Sequence, residues 1–144
     1  MKQKVMILVL SVYGLFLLWG PSVVSAGDII IIANSSVPAD TLDENTIKNI
    51  FLGDTFKWSN GNMINIVIAE KTEVHNIFLD KYIKRSESQF RNVWRQNMFT
   101  GKGKQPKRET SIEGLLEYIS KTPDSIGYAY SDTILPKDVK ILAR

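Results

Sequence analysis

The sequence has no cysteine at all and only one histidine among its 144 residues. Without cysteine there is no disulfide framework, thiol nucleophile, zinc–thiolate site or lipid-anchored N-terminal Cys. A single imidazole, His75, excludes a multi-His metal site within one chain. Glycine and proline are sparse, at 9 and 5 residues, and no repeat, low-complexity tract or linker interrupts the chain, which therefore reads as one domain. A large charge of either sign is also missing. The formal charge is +3, but Lys2 and Lys4 belong to a leader, and without them 16 basic residues face 15 acidic ones, a balance of +1. Such a balance gives no electrostatic case for nucleic acid, and none is expected as a partner.

The leader covers residues 1–26. Lys2 and Lys4 supply a positive start, and residues 5–19 form a nearly continuous apolar run of 15, broken by Gly20 and Pro21. Small residues, Val24-Ser25-Ala26, then precede Gly27. This is the layout of a secretory signal peptide. The run is short against the roughly 20 residues a spanning helix needs. The alternative is an uncleaved N-terminal anchor. Either way the domain is expected outside the cytoplasm, periplasmic or secreted, and cleavage would leave no stable membrane span. Residues 27–144 are then the folded unit, 118 residues long, enough to bury roughly 65% of the unfolded surface.

Along that unit, strand and helix patterns alternate. Ile29-Ile30-Ile31-Ile32-Ala33 is a β-branched run, as found in a strand covered on both faces in a parallel sheet. Thr41-Leu42-Asp43-Glu44 has the form of a capping box ahead of the helical stripe Ile47, Ile50 and Phe51, and Gly53 is placed to end that helix. Ser59-Asn60-Gly61-Asn62 marks a turn, and residues 63–69 alternate as a strand. Thr72 is a candidate N-cap for one helix carrying Val74, Ile77, Phe78 and Tyr82. Ser86-Glu87-Ser88-Gln89 opens another, with Phe90, Val93, Trp94 and Met98 on its stripe. Residues 101–108 read as a Gly/Lys loop. Thr110-Ser111-Ile112-Glu113 opens a helix marked by Leu115, Leu116 and Ile119. Thr122-Pro123-Asp124 is a turn, residues 126–130 a strand, and residues 139–142 a last strand. The alternation places the chain in the α/β class.

Four segments in order, Ile50-Phe51-Leu52-Gly53, Trp58-Ser59-Asn60-Gly61, Phe99-Thr100-Gly101-Lys102-Gly103 and Thr122-Pro123-Asp124-Ser125-Ile126-Gly127-Tyr128, resemble the phosphate-binding proteins of phosphate ABC transporters. More closely, the chain is similar to a short, single-lobe branch of that periplasmic binding protein superfamily. The resemblance spans about residues 28–131. It implies a type II periplasmic-binding-protein-like domain, a mixed sheet flanked by helices, that takes an oxyanion such as phosphate at loop–helix junctions. Full members close two lobes on the anion. Here the first strand leads almost directly into the Ile50-Phe51-Leu52-Gly53 region, so no two-lobed clamp forms within one chain and weak binding is expected.

Two loops are candidate oxyanion sites. Asn34, Ser35 and Ser36 follow the first strand and offer a carboxamide, hydroxyls and backbone N–H groups; the alternative is a polar turn satisfying itself. Residues 69–75 follow a strand and open a helix, whose N-terminus presents free N–H groups. There the resemblance matches Thr72 to a hydroxyl position and His75 to an expected basic one. Glu70 and Glu73 depart from the pattern by bringing negative charge, and Lys71 offsets part of it. The alternative is an ordinary capped helix with an exposed His75. Lys102, Lys104, Lys107 and Arg108 form a basic cluster, either a solvated loop or a patch for an acidic partner or lipid headgroups. Trp94 is expected in the core, Trp58 in a more open setting, and Tyr128 and Tyr130 in packing. No G-x-S-x-G elbow or His-centred triad is present, so no enzymatic activity, cofactor or metal is expected. The function expected is a solute-binding-like protein. The alternative is a lobe that has lost the anion and docks an envelope protein or a second copy of itself.

Overall fold

In the computed structural model residues 27–144 are described; the expected leader, 1–26, lies outside the described residues. The elements run β1 (Ile29–Asn34), α1 (Glu44–Phe51), β2 (Asn65–Ala69), α2 (Glu73–Phe78), a π-helical turn (Leu79–Ile83), α3 (Glu87–Thr100), β3 (Lys107–Glu109), α4 (Ile112–Lys121), β4 (Ser125–Tyr130) and β5 (Val139–Ala143).

The five strands form one mixed sheet in the order β3-β2-β4-β1-β5. β2 is parallel to both β3 and β4, whereas β1 is antiparallel to both β4 and β5. β1 is buried on both faces, as its isoleucine run requires. Its neighbours, however, are antiparallel rather than parallel. The run reports burial on two faces, and a central strand with helices on either side meets that condition whichever way its neighbours point.

Adjacent residues of β4 show how the layers are arranged. Gly127 faces Leu115 and Ile119 of α4, while Tyr128 faces Phe51 and Phe78 from α1 and α2. Successive strand residues point to opposite sides, so α4 covers one face and α1 and α2 the other. The register carries this across β1. Ile31 pairs with Tyr128 and Ile32 with Gly127, giving each helical layer an isoleucine. The described residues thus carry a sheet and a buried core of their own, and 27–144 can be tested by itself.

Local chemistry sets the helix ends. Asp43, rather than Thr41, caps α1 by accepting from the Thr46 N–H at 2.7 Å. Ser111, rather than Thr110, caps α4, and Ser86 with Gln89 forms the expected capping box of α3. Gly53 follows α1 with φ +81°, and a Cβ there would lie 3.0 Å from the Trp94 ring and 2.7 Å from the Asn97 amide. These two side chains of α3 instead donate to the last carbonyls of α1: Trp94 Nε1 to Phe51 O and Asn97 Nδ2 to Leu52 O, both at 2.9 Å. Met98, expected on the buried stripe, is exposed because Trp94 and Asn97 take the inward face.

Three further expectations are corrected. The helix expected from Val74 to Tyr82 is α2 followed by a π turn, closed by Lys84 in the left-handed region and its N–H bond to Leu79 O. The Gly/Lys loop ends in β3, a three-residue edge strand too polar and short to show a period-2 pattern. Trp58 is buried, its indole N–H donating to Asp124 O at 3.0 Å.

Gly127 allows α4 to lie directly on the sheet: an added Cβ would stand 2.9 Å from Ile119 Cδ1 and 3.1 Å from both Leu115 and Val67. We expect Gly127→Ala to destabilise the fold by about 1–3 kcal/mol through overpacking. Urea unfolding checks this; an unchanged midpoint would contradict the packing described.

Candidate functional site

The two candidate loops stand at opposite ends of the sheet. β1 ends at Asn34 beside the start of β4, where Ala33 pairs with Ile126. β2 begins at that same end, Asn65 opposite Ser125, and runs away from it for five residues, roughly 15 Å of strand, before reaching Thr72. The antiparallel setting of β1 separates the loops, so Ser35 and Thr72 do not cup one solute together. The two candidate loops are therefore separate sites and not parts of one.

At the first end the carboxamide and the backbone N–H groups of the loop are engaged. Asn34 Nδ2 donates to Ile119 O at 2.7 Å and Ser120 O at 3.3 Å, capping carbonyls of α4. Its Oδ1 accepts the Ser36 N–H, its backbone carbonyl accepts the Val37 N–H, and the Ser35 N–H goes to Asp138 O. Ser36 Oγ accepts the Asp124 N–H at 2.9 Å. Asp124, in the left-handed region at φ +60°, gathers this end. Its carbonyl accepts from Trp58 Nε1 and the Asn65 N–H, its Oδ2 accepts from Asn62 Nδ2, and its Oδ1 is buried without a partner. A carboxylate and the carbonyl end of α4 make this end electronegative. In the sequence Asp124 shows only as a turn residue, and nothing marks its long-range bonds.

At the second end Thr72 caps α2, accepting from the His75 N–H at 3.2 Å and donating to Ala69 O at 2.6 Å. Lys71 beside it is left-handed at φ +62°. Arg108 of β3 comes within 3.9 Å of Glu70, placing a guanidinium by the loop. His75 is not exposed, as one sequence alternative had it; it is 1% exposed. The short helix turns it inward beneath the loop, with its ring among Phe78, Phe90 and Tyr128. Its Nδ1 lies 2.5 Å from the Tyr128 hydroxyl. That hydroxyl accepts the Ala69 N–H at 2.9 Å, leaving its proton for Nδ1. The network therefore assigns the imidazole proton to Nε2, which is buried without a partner. Beside it is a hollow of about 10 Å³ whose lining includes Glu70, Glu87, Arg91 and Arg108, room for about one water.

Burial pushes the His75 pKa below the ordinary imidazole value, while the carboxylates of Glu87 and Glu70 pull it the other way. Burial also pushes the Tyr128 hydroxyl far up, so it remains protonated and available as a donor. Among the described residues no group of three or more His, Cys, Asp or Glu side chains is placed to hold a metal ion. No described helix is long and apolar enough to cross a membrane.

No family model and no curated protein matches the chain. Among solved structures it is similar to a protein of Clostridium perfringens assigned as a phosphate ABC transporter substrate-binding protein and solved with bound phosphate, at 16% identity and a TM-score of 0.63. It is also similar to an ABC-type phosphate transport receptor of Vibrio cholerae, at 12% identity and a TM-score of 0.55. The likeness covers 81% of this chain but only 44% and 45% of those two, so the chain spans less than half of either. At such identities the likeness establishes the fold: α/β, periplasmic-binding-protein-like, a mixed sheet flanked by helices.

The His75 environment has a pH signature. Near its ordinary pKa of about 6.5 the unfolded chain takes up a proton that the folded chain resists. Stability is therefore fully present above that value and falls as the pH drops below it, by at most about 1.4 kcal/mol per pH unit. His75 is the sole histidine and there is no cysteine, so no other side chain titrates at its ordinary pKa between about pH 5.5 and 7.5. Urea unfolding across that range should show the slope, and His75→Leu should lose it. A flat wild-type profile would contradict a buried neutral imidazole.

Proposed function

We propose that this chain is a non-enzymatic binding domain, a single lobe of the solute-binding-protein kind that takes phosphate or a related oxyanion weakly at the β2–α2 end. The observation that carries this reading is the fold, shared with a structure that holds phosphate. The second end also suits an anion better than the first. It has the start of α2 and the side chains of Lys71 and Arg108 nearby, whereas at the Asn34-Ser35-Ser36 loop the carboxamide and the Ser35 and Ser36 N–H groups are committed and Asp124 stands beside them.

In this reading the first backbone N–H groups of α2 contact the anion, Thr72 holds that turn in place through its bonds to Ala69 O and the His75 N–H, and Arg108 exchanges Glu70 for the anion. His75 holds the loop from beneath through Tyr128 and does not touch the solute. Asn34, Ser35 and Ser36 keep the opposite end closed. Glu70 and Glu73 oppose an anion by charge, and an anion held by this lobe alone keeps part of its water; both keep affinity low. The same reading places the domain in the periplasm after removal of residues 1–26. N-terminal sequencing of the chain recovered from the envelope should start at Gly27, and a chain retaining Met1 would contradict that processing.

Isothermal titration of 27–144 should give a phosphate dissociation constant no tighter than micromolar, weakened severalfold by Thr72→Val and strengthened by Glu73→Ser. No heat and no thermal shift at millimolar phosphate, in both wild type and Glu73→Ser, would overturn the anion reading and leave the lobe as a docking module for another envelope protein or a second copy.

A further inference from the structure

The described residues are electrically lopsided in a way that the near-neutral total hides. Residues 88–108 contain six basic side chains and no acidic one. The rest of 27–144 holds ten basic against fifteen acidic residues, a net −5. The fold brings Arg91, Arg95 and Arg108 to one groove with Lys104 beside it, while Lys107 turns toward α4. Phe90 and Trp94 anchor α3 inward, which turns Arg91, Arg95 and Met98, spaced i, i+4, i+7, onto one outer stripe. That stripe meets the segment leading into β3 across a groove of about 330 Å³ lined by Arg91, Arg95, Met98, Gln105 and Arg108. Gln105 and Arg108 also line an adjoining hollow of about 450 Å³ that includes Lys104 and Lys107. Among the described residues Arg91, Arg95, Lys102 and Lys104 have no ion-pair partner, while Arg108 and Lys107 have only Glu70 and Glu109, each at 3.9 Å.

Apolar groups stand out among these cations. Phe99, four residues past Arg95, is 87% exposed, and Met98 is 59% exposed. Both sit at the end of α3, where Gly101 turns the chain at φ +70° into Lys102 and Lys104. Arginines present forked donors that fit phosphate oxygens, and lysines supply further positive charge. A projecting phenyl ring among them fits the boundary between headgroups and acyl chains. A cluster of this size and sign is what anionic lipid attracts.

We infer that the face formed by the outer stripe of α3 and residues 102–108 docks on a bilayer carrying anionic phospholipid, with Arg95, Lys102 and Lys104 on the headgroup phosphates and Phe99 entering the interface. The acidic remainder of the domain is repelled by the same surface, which orients the molecule with this face down. Peripheral docking needs no spanning helix, in keeping with the described helices.

Flotation of 27–144 with vesicles tests this, comparing pure phosphatidylcholine with a mixture containing about one-third phosphatidylglycerol. Binding to the anionic vesicles should be about tenfold or more stronger and should be largely lost when salt rises from about 0.1 M to 0.5 M. The triple variant Arg95→Gln/Lys102→Gln/Lys104→Gln should lower binding about tenfold, and Phe99→Ser severalfold, both with an unchanged melting temperature because every altered side chain is exposed. Equal partition to both vesicle types, no binding, or an unaffected triple variant would overturn the inference. Salt-sensitive self-association without vesicle binding would overturn it too, since the cationic face would then be meeting the acidic side of a second copy. Arg108 stays unaltered in these variants, so failure here is distinct from failure of phosphate binding.

Discussion

The antiparallel pairing of β1 with β4 is the constraint on which the rest of this molecule depends. β1 is the buried strand between β4 and β5, and its direction decides which loops share an end of the sheet. Had it run with β2, the Asn34 loop and the Thr72 loop would have opened onto the same rim. Running against it, β1 delivers Asn34 to the C-terminus of α4, where the carboxamide donates to the Ile119 and Ser120 carbonyls. One end of the sheet is thereby sealed by its own hydrogen bonds, and the other is left with a short capped helix and a guanidinium.

Tyr128 ties the sheet to that second end. Its ring stacks on Phe78 at 4.1 Å and packs near Phe51, while its hydroxyl joins the end of β2 to the ring of His75. A buried hydroxyl of this kind must be satisfied or it costs stability, and here one oxygen accepts an N–H and donates to an imidazole. The unpartnered Nε2 is the remaining cost, borne beside a hollow for about one water. The loop carrying Thr72 therefore rests on a rigid aromatic base rather than on solvent. In the proposed reading, that gives the loop a fixed shape before any solute arrives.

Much of the fold was legible in the residues, and the reasons for the gaps are physical. The isoleucine run, the Ser86 capping box, Thr72 as a cap, Gly53 past α1 and the core position of Trp94 are all local signals, readable from spacing and side-chain chemistry. Strand direction is not local: burial on both faces makes the same isoleucines serve parallel and antiparallel neighbours. β3 escaped because three residues, Lys107, Arg108 and Glu109, carry no periodicity. The polar roles of Asn34, Asp124 and Tyr128 join residues more than fifty positions apart, and no motif announces such bonds. His75 was visible as a candidate, but its orientation depends on Phe78, Phe90 and Tyr128 closing around it.

The central proposal is that a small anion is taken at the β2–α2 end of the sheet and not at the Asn34 end. Residue-resolved amide chemical shifts recorded as phosphate is added to 27–144 test it most directly. The account predicts changes confined to residues 70–73 and their neighbour Arg108, with Ser35, Ser36 and Asp124 unmoved. Changes centred on Ser35 and Ser36, or a spectrum that does not respond at any phosphate concentration, would contradict it.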